Sequence, residues 1–285
     1  MNPARRIQLV DVFGDGPYRG NPLAVVEDSD GLSTDDMLAI TRWLNLSETT
    51  FVLPPTQPGA DYRVRIFTLD REYPFAGHPT LGTCHAWLAS GGKPADPTRV
   101  IQECGAGLVP VRRDGERLAF RAPPLIRGGS VDPGFVDEVA AVLGIPRTAI
   151  VDAQWADNGP GWVAVLLGSA AEVLALEPAA DTTRRWDIGV VGPHVPGAEC
   201  AFELRAVFSD HTHQLREDPV TGSLNASIAQ WLIRTGRARP PYVAAQGTRL
   251  GRRGRIHIDV DADGEVWVGG RSHTIIAGVQ RHDPL

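Results

Sequence analysis

Three side chains stand where proton transfer could be carried out: Glu48 in LSETTFV, His78 in AGHPTLG and Asp218 in EDPVTGS. Carboxylates and imidazoles serve as general acids and bases because their surroundings can bring their proton affinities near neutrality. Glu48 comes just before the run Thr50–Leu53, which reads as a strand, so it occupies a strand entrance with apolar neighbours. A glutamate there is either an ordinary turn residue or, at the rim of an apolar cleft, a proton carrier. His78 and Asp218 each open a segment with one grammar: a polar residue, Pro, small hydroxyl and Gly positions, then an apolar run. HPTLGTCHA (78–86) lies over DPVTGSLNA (218–226) without gaps, at an offset of 218 − 78 = 140, close to half of the 285 residues. Pro suits a helix's first turn, where its missing N–H needs no partner. Small residues leave the first backbone N–H groups open to an anion. Two such helix starts facing one another are expected to form a cleft for a small carboxylate-bearing molecule, with His78 at one lip and Asp218 at the other.

Other chemistry is less well supported. His211 and His213 would share one face of a strand and hold a metal there, but SDHTHQLRED (209–218) is polar and carries no further ligand pattern, so a solvated loop is the better reading. Cys84 lies inside an apolar stretch, where a thiol is more often packing than catalysis. Ser47, Thr83 and Ser223 lack the sequence signature of a nucleophilic hydrolase. Glu48, His78 and Asp218 remain as acid/base groups. They suit removal of a proton next to a carboxylate or unsaturated system and its return elsewhere, a reaction that needs neither metal nor organic cofactor.

The elements that must position these groups follow from periodicity. Ile7–Phe13, Leu23–Val26, Thr50–Leu53 and Tyr62–Thr68 read as strands. Ser33, with Asp36 three residues on, starts a helix whose stripe is Met37, Leu38, Ile40, Trp43 and Leu44. Thr80–Ala89 is nearly free of charge, and a helix apolar on all sides is buried. Strands near 99–103, 108–112 and 117–121 are the simplest means of burying it. Pro123–Asp132 reads as a domain boundary, and Asp132-Pro133 then opens a helix in the place Ser33 has in the first half. Strands at 161–167 and 201–208, a second apolar helix from about Pro219 to Ile233 and closing strands near 242–244, 255–260, 265–268 and 274–277 complete the chain. Asn225 and Gln230 on that helix need partners if buried. The expected class is α+β, with two pseudo-symmetric domains, each a mostly antiparallel β-barrel wrapped around a central apolar helix. The domains are expected at 1–122, completed by about 277–285, and at 130–276, with the active site in the cleft between them.

A formal charge of −6 argues against non-specific binding to nucleic acid, which needs clustered positive charge. No stretch is long and apolar enough to span a bilayer, and the N-terminus lacks a signal-peptide apolar segment. Cys84, Cys104 and Cys200 have no disulfide or zinc spacing, so a cytoplasmic location is the default expectation.

GNPLAVV (20–26), LSETTFV (46–52), DREYPFAGHPTLGT (70–83), EDPVTGS (217–223) and QGTRLGRRGRIHI (246–258), in this order, resemble the PhzF (phenazine-biosynthesis-type) isomerase family, whose fold is similar to diaminopimelate epimerase. The resemblance spans almost the whole chain and agrees with the two-domain reading. It implies that Glu48 shuttles the proton, assisted by His78 and Asp218, in an allylic shift like that on a dihydro-hydroxyanthranilate ring. It further implies that Asn21, Ser47, Gly77, Thr80, Gly222 and Ser223 bind the substrate, that no cofactor is used and that the protein is a homodimer. Secondary metabolite biosynthesis is the setting it suggests. Leu69 and Leu224 depart from the family's usual Pro and Ala. An amino-acid epimerase of the same fold is the nearest rival, although no cysteine adjoins His78 or Asp218 to form a two-thiol pair. A non-catalytic protein that binds small acids is the rival from another class.

Overall fold

The computed structural model describes residues 4–179, 184–210 and 212–280. Its strands are β1 (Arg5–Val12), β2 (Asn21–Val26), β3 (Thr49–Leu53), β4 (Tyr62–Phe67), β5 (Glu72–Tyr73), β6 (Arg99–Cys104), β7 (Gly107–Asp114), β8 (Arg117–Arg121), β9 (Arg127–Ser130), β10 (Asp152–Asp157), β11 (Val163–Leu166), β12 (Asp187–Pro193), β13 (Phe202–Ser209), β14 (Leu215–Asp218), β15 (Tyr242–Gln246), β16 (Gly254–Val260) and β17 (Val266–Gln280). Its α-helices are α1 (Thr34–Leu44), α2 (Gly77–Ala89), α3 (Pro133–Leu143), α4 (Ala170–Ala175) and α5 (Gly222–Arg234). The fold is mixed α+β, and the chain divides into two compact units, residues 1–121 with 269–285, and residues 122–268. The chain returns to the first unit at Gly269, earlier than the expected position near 277. The segments expected as two strands, 265–268 and 274–277, are one continuous strand, β17. Gly269 lets that strand pass close to β8, because a Cβ there would lie 2.9 Å from both Ala119 Cβ and Leu118 O.

In the first unit the pairings close a ring: β1–β2–β3–β4–β6–β7–β8–β17 and back to β1. Closure leaves the ring with no unpaired edge. Two of its contacts, β2–β3 and β4–β6, are parallel, and each is bridged by a helix, α1 and α2 respectively. Such crossovers are what parallel neighbours require. α2 fills the ring. Leu81, Cys84 and Ala86 on it are wholly buried, and Trp87 stacks on Tyr62 at 5.2 Å between ring centroids. Gly82 allows the close approach: a Cβ there would lie 2.6 Å from Leu23 Cδ2 and 2.8 Å from Val12 Cγ2. Outside the ring, Met37 of α1 packs with Val26, Phe51, Leu53 and Phe67. Trp43, expected in the same stripe, is instead 84% exposed.

The second unit repeats this order. β10 and β11 pair, α4 crosses to β12 parallel to β11, β13 and β14 follow, and α5 crosses to β15 parallel to β13. The counterpart of α1 is therefore α4, not the helix at Asp132-Pro133. That helix, α3, precedes the first hairpin and has no equivalent in the first unit. It packs through Val136, Val139, Ala140 and Leu143 onto the outer face of the sheet, with Val173 of α4 in the same core. Asn225 and Gln230 do find partners, Asn225 with Thr221 O and Gln246, and Gln230 with Pro123 O.

Matching the elements corrects the repeat. α2 starts at Gly77 and α5 at Gly222, both 13 residues long and 222 − 77 = 145 apart, not 140. On that offset EYPFAGH (72–78) lies over EDPVTGS (217–223), and β5, paired with β4, corresponds to β14, paired with β13. His78 thus corresponds to Ser223, and Asp218 to Tyr73. Pro79 falls in the third position of its helix, whereas Pro219 precedes its helix. Both places spare proline's missing N–H.

Candidate functional site

In the first unit, parallel pairing of β2 and β3, with Ala24 opposite Thr49, brings the start of one strand and the entrance of the other to the same end of the ring. Asn21 is the first residue of β2 and Glu48 the residue before β3. α2 begins at that end, with Gly77 and His78 buried in its first two positions. Glu48 and His78 meet, Glu48 Oε2 lying 3.5 Å from His78 Nε2. The Glu48 side chain is 15% exposed and that of His78 4%, so the glutamate is largely buried, not a solvated surface residue. The Thr83 hydroxyl donates to Pro79 O at 2.6 Å, and its oxygen lies 2.8 Å from the Thr50 hydroxyl. The helix carrying His78 is thereby pinned to the strand that Glu48 precedes.

Burial pushes the His78 imidazole down from 6.5 to about 3, so the ring is neutral near pH 7. Its contact with Glu48 is consequently a carboxylate facing a neutral imidazole, not an ion pair. Asn21 Nδ2 lies 3.4 Å from His78 Nδ1. An amide NH2 can only donate, so with the amide placed this way Nδ1 accepts and the ring proton sits on Nε2, whose 3.5 Å approach to Glu48 Oε2 is too poorly aligned to be a hydrogen bond. A neutral buried histidine has a stability signature. Its folded pKa is below the unfolded 6.5, so the unfolded chain binds more protons between about 6.5 and 3, and stability is lost as pH falls through that window. Between pH 6.5 and 5 this one group is expected to remove about 2 kcal/mol of unfolding free energy. Urea unfolding of wild type and His78→Gln at pH 7 and pH 5 measures it, with the variant expected to lose less on acidification.

The start of α2 has no side-chain cap on its N-cap Ala76, and α5 has none on Thr221. The other three α-helices are all capped, α1 by Ser33 in the expected capping box, α3 by Asp132 and α4 by Ser169. α2 and α5 also carry no acidic residue in the first turn. Their first-turn amides are the ones left to meet an anion.

In the second unit Asp218 ends β14, and the Thr221 hydroxyl donates to Asp218 Oδ2 at 2.5 Å. The half-buried Ser223 hydroxyl, in the second position of α5, accepts from Trp162 Nε1 at 3.1 Å. Its own proton is therefore directed to another acceptor. Asn158 Nδ2 donates to Ser223 O at 2.9 Å, and the Asp157 carboxylate holds Gly159 N and Gly161 N, shaping the loop that carries Asn158. Trp162, Asn158, Thr221 and Gln246 were not singled out from sequence. The turn-rich DNGPGW string was the one signal available for the first two.

The remaining expected residues fall in different places. Gly222 is the buried first residue of α5. Thr80 is wholly buried, and its hydroxyl accepts from Gln102 Nε2 at 3.0 Å. Ser47 is exposed beside Glu48. The three cysteines are free and buried, and burial pushes the Cys84 thiol up to about 12, out of range for proton transfer near neutrality. His213 is exposed, and His211 lies outside the described residues. SDHTHQLRED turns about the Asp210 carboxylate, which accepts from Thr212 and Arg216, and its end is strand β14, not loop. Among the described residues no group of three or more His, Cys, Asp or Glu side chains is placed to hold a metal.

The profile of the family described as "Phenazine biosynthesis-like protein" (PhzC-PhzF) matches residues 10–278. "Antisense-enhancing sequence 1" of Schizosaccharomyces pombe is 37% identical over 94% of this chain and 96% of its own length. "Trans-2,3-dihydro-3-hydroxyanthranilate isomerase" of Pseudomonas aeruginosa is 34% identical over 91% of this chain and 92% of its own. Among solved structures, a PhzF family protein of Enterococcus faecalis superposes with a TM-score of 0.78, covering 98% of this chain and all of that one at 24% identity, a likeness of fold.

Proposed function

The chain belongs to the phenazine biosynthesis-like (PhzC-PhzF) family and is an isomerase, and on that premise we propose that it moves a proton within a small carboxylate-bearing cyclic or unsaturated metabolite by an allylic shift, without a cofactor. The observation that carries this reading is the Glu48–His78 contact: a largely buried carboxylate whose Oε2 lies 3.5 Å from Nε2 of a neutral imidazole, with Asn21 Nδ2 facing the other ring nitrogen. Glu48 takes the proton from carbon. The electron pair delocalises through the adjacent double bond, and the same proton, or one from solvent, is returned at the far end of the allyl system. Negative charge growing on the substrate is met by helix-start amides, preorganised donors that cost no rearrangement as the charge develops. His78, buried 3.5 Å from Glu48 Oε2, is proposed to assist by packing beside that carboxylate and limiting its movement. Asp218 is proposed as the second acid/base group and Ser223 as a donor to the substrate.

The acid/base set departs from pseudo-symmetry, which favours proton shuttling over racemisation. A racemase working through two matched groups would carry equivalents at equivalent positions. Here His78 corresponds to Ser223, and Asp218 to Tyr73. The substrate is proposed to belong to the class on which the Pseudomonas aeruginosa relative is named to act, trans-2,3-dihydro-3-hydroxyanthranilate. Incubation with that compound in D2O, followed by NMR, tests the reading. Migration of the double bond with deuterium at the newly protonated carbon is expected. Exchange confined to an α-carbon, with the double bonds left in place, would count against it.

A further inference from the structure

Behind the start of α5 lies a buried side chain to which the sequence assigned no role, although it opens the QGTRLGRRGRIHI stretch: Gln246 at the end of β15. All of its hydrogen-bonding capacity is used. Oε1 accepts from Thr221 N at 3.0 Å and from Asn225 Nδ2 at 2.8 Å. Nε2 donates to Asp218 O at 3.1 Å and to Thr221 Oγ1 at 3.0 Å. The amide can sit only this way round. A flip would set its NH2 against the Thr221 N–H and its oxygen against the Asp218 carbonyl. The donor from Gln246 decides where the Thr221 hydroxyl points. That oxygen already accepts, so its single proton goes to Asp218 Oδ2 at 2.5 Å. Gly247, next in the chain, keeps β15 against the link that carries Asp218, since a Cβ there would lie 2.6 Å from Pro219 O.

The first unit uses the same device. β6 lies parallel to β4 as β15 lies parallel to β13, and on β6 the wholly buried Gln102 receives the Tyr62 hydroxyl and donates to Thr80 Oγ1 in the first turn of α2. In each unit the strand that follows the central helix thus returns a glutamine to that helix's start. Among the described residues, the second chain of bonds runs on to a carboxylate, that of Asp218.

Resting on the reading of Asp218 given above, we propose that Gln246 is a positioning residue for the reaction, acting through Thr221 to fix the rotamer of the Asp218 carboxylate. Such a role affects the rate of proton transfer more than substrate binding, because a reacting group displaced by about 1 Å can cost roughly 100-fold. Thr221→Val keeps the shape and removes the hydroxyl, whereas Thr221→Ser keeps the hydroxyl. Thr221→Val is expected to lower kcat by roughly 10- to 100-fold with KM within about twofold of wild type, and Thr221→Ser to restore most of it. Gln246→Met should lower kcat to a similar degree, and the double variant should be no slower than the slower single variant, since both act through one hydroxyl. Should Gln246→Met fail to fold, the threonine pair carries the test alone. Wild-type kcat in Thr221→Val, equal loss in the valine and serine variants, or multiplying effects in the double variant would overturn the proposal. Asp218→Asn separates the two levels. If it turns over at the wild-type rate, the role given to Asp218 fails. If it is impaired while Thr221→Val is not, only the role given to Gln246 fails.

Discussion

Glu48→Gln is expected to lower kcat by roughly 10³-fold, within the usual range for losing a general acid/base group, while the thermal midpoint stays close to wild type. Glutamine keeps the length and volume of the side chain, and so its place beside His78 Nε2, 3.5 Å from the present carboxylate oxygen. What it cannot do is take up a proton. The loss should therefore fall on kcat, with KM little changed, the pattern of a group that acts only as the proton moves. Glu48→Asp gives the complementary result. It keeps the base and withdraws it by one methylene, so an intermediate loss of roughly 100-fold is expected. Steady-state kinetics on the substrate that wild type isomerises, with deuterium wash-in from solvent as a second readout, would settle the role. Turnover by Glu48→Gln at the wild-type rate would falsify it.

That Glu48 could be placed at the edge of the interior without a structure reflects where it sits. It immediately precedes a strand whose five residues are all buried, and a charged side chain there has few places to go but the rim of the interior. The two central helices were legible for a related reason: a stretch with almost no charge has no face to show to water. Their exact starts were not legible. Pro79 and Pro219 invited the same reading, yet one lies inside its helix and the other before it, and the repeat slipped by five residues as a result. Resolving that needed strand pairing, because β5 and β14 fix where each link begins.

Strand β12 was not among the expected strands of the second unit. β12 reads DIGVVGP, and glycines normally weaken a strand assignment. In the structure they mark close approach. A Cβ on Gly189 would lie 2.2 Å from Leu224 Cδ1, and one on Gly192 would lie 2.4 Å from Ser169 O. One admits the central helix on the inner side, the other α4 on the outer side, and neither partner is near in sequence. The Gln246 clamp was illegible for the same reason. Its partners lie 21 to 28 residues away, and a glutamine before a glycine carries no periodic signal.

Gly20→Ala is expected to cost about 3 kcal/mol of stability or more, the largest effect of any single methyl addition proposed here. The added Cβ would lie 2.0 Å from Val12 O and 2.6 Å from Gly14 N. Both are backbone atoms, which cannot rotate aside as a side-chain tip can. Relief would require Val12 or Gly20 to move, and both are held. Val12 pairs with Asn21 in the β1–β2 ladder, and Gly20 N donates to the buried Asp11 carboxylate at 2.9 and 3.0 Å, beside Arg19 N at 2.8 Å. The next residue is Asn21, so any shift that accommodates the methyl also moves the amide that sets the His78 tautomer. Stability and turnover should consequently fall together. Gly16→Ala in the same loop is the control. Its Cβ would meet only Arg19 Cδ at 3.8 Å, and its stability should stay within about 0.5 kcal/mol of wild type. Urea unfolding of the two variants side by side checks both values. Equal stability would mean that the loop yields freely, and that the Asp11 clamp does not hold Asn21 in place.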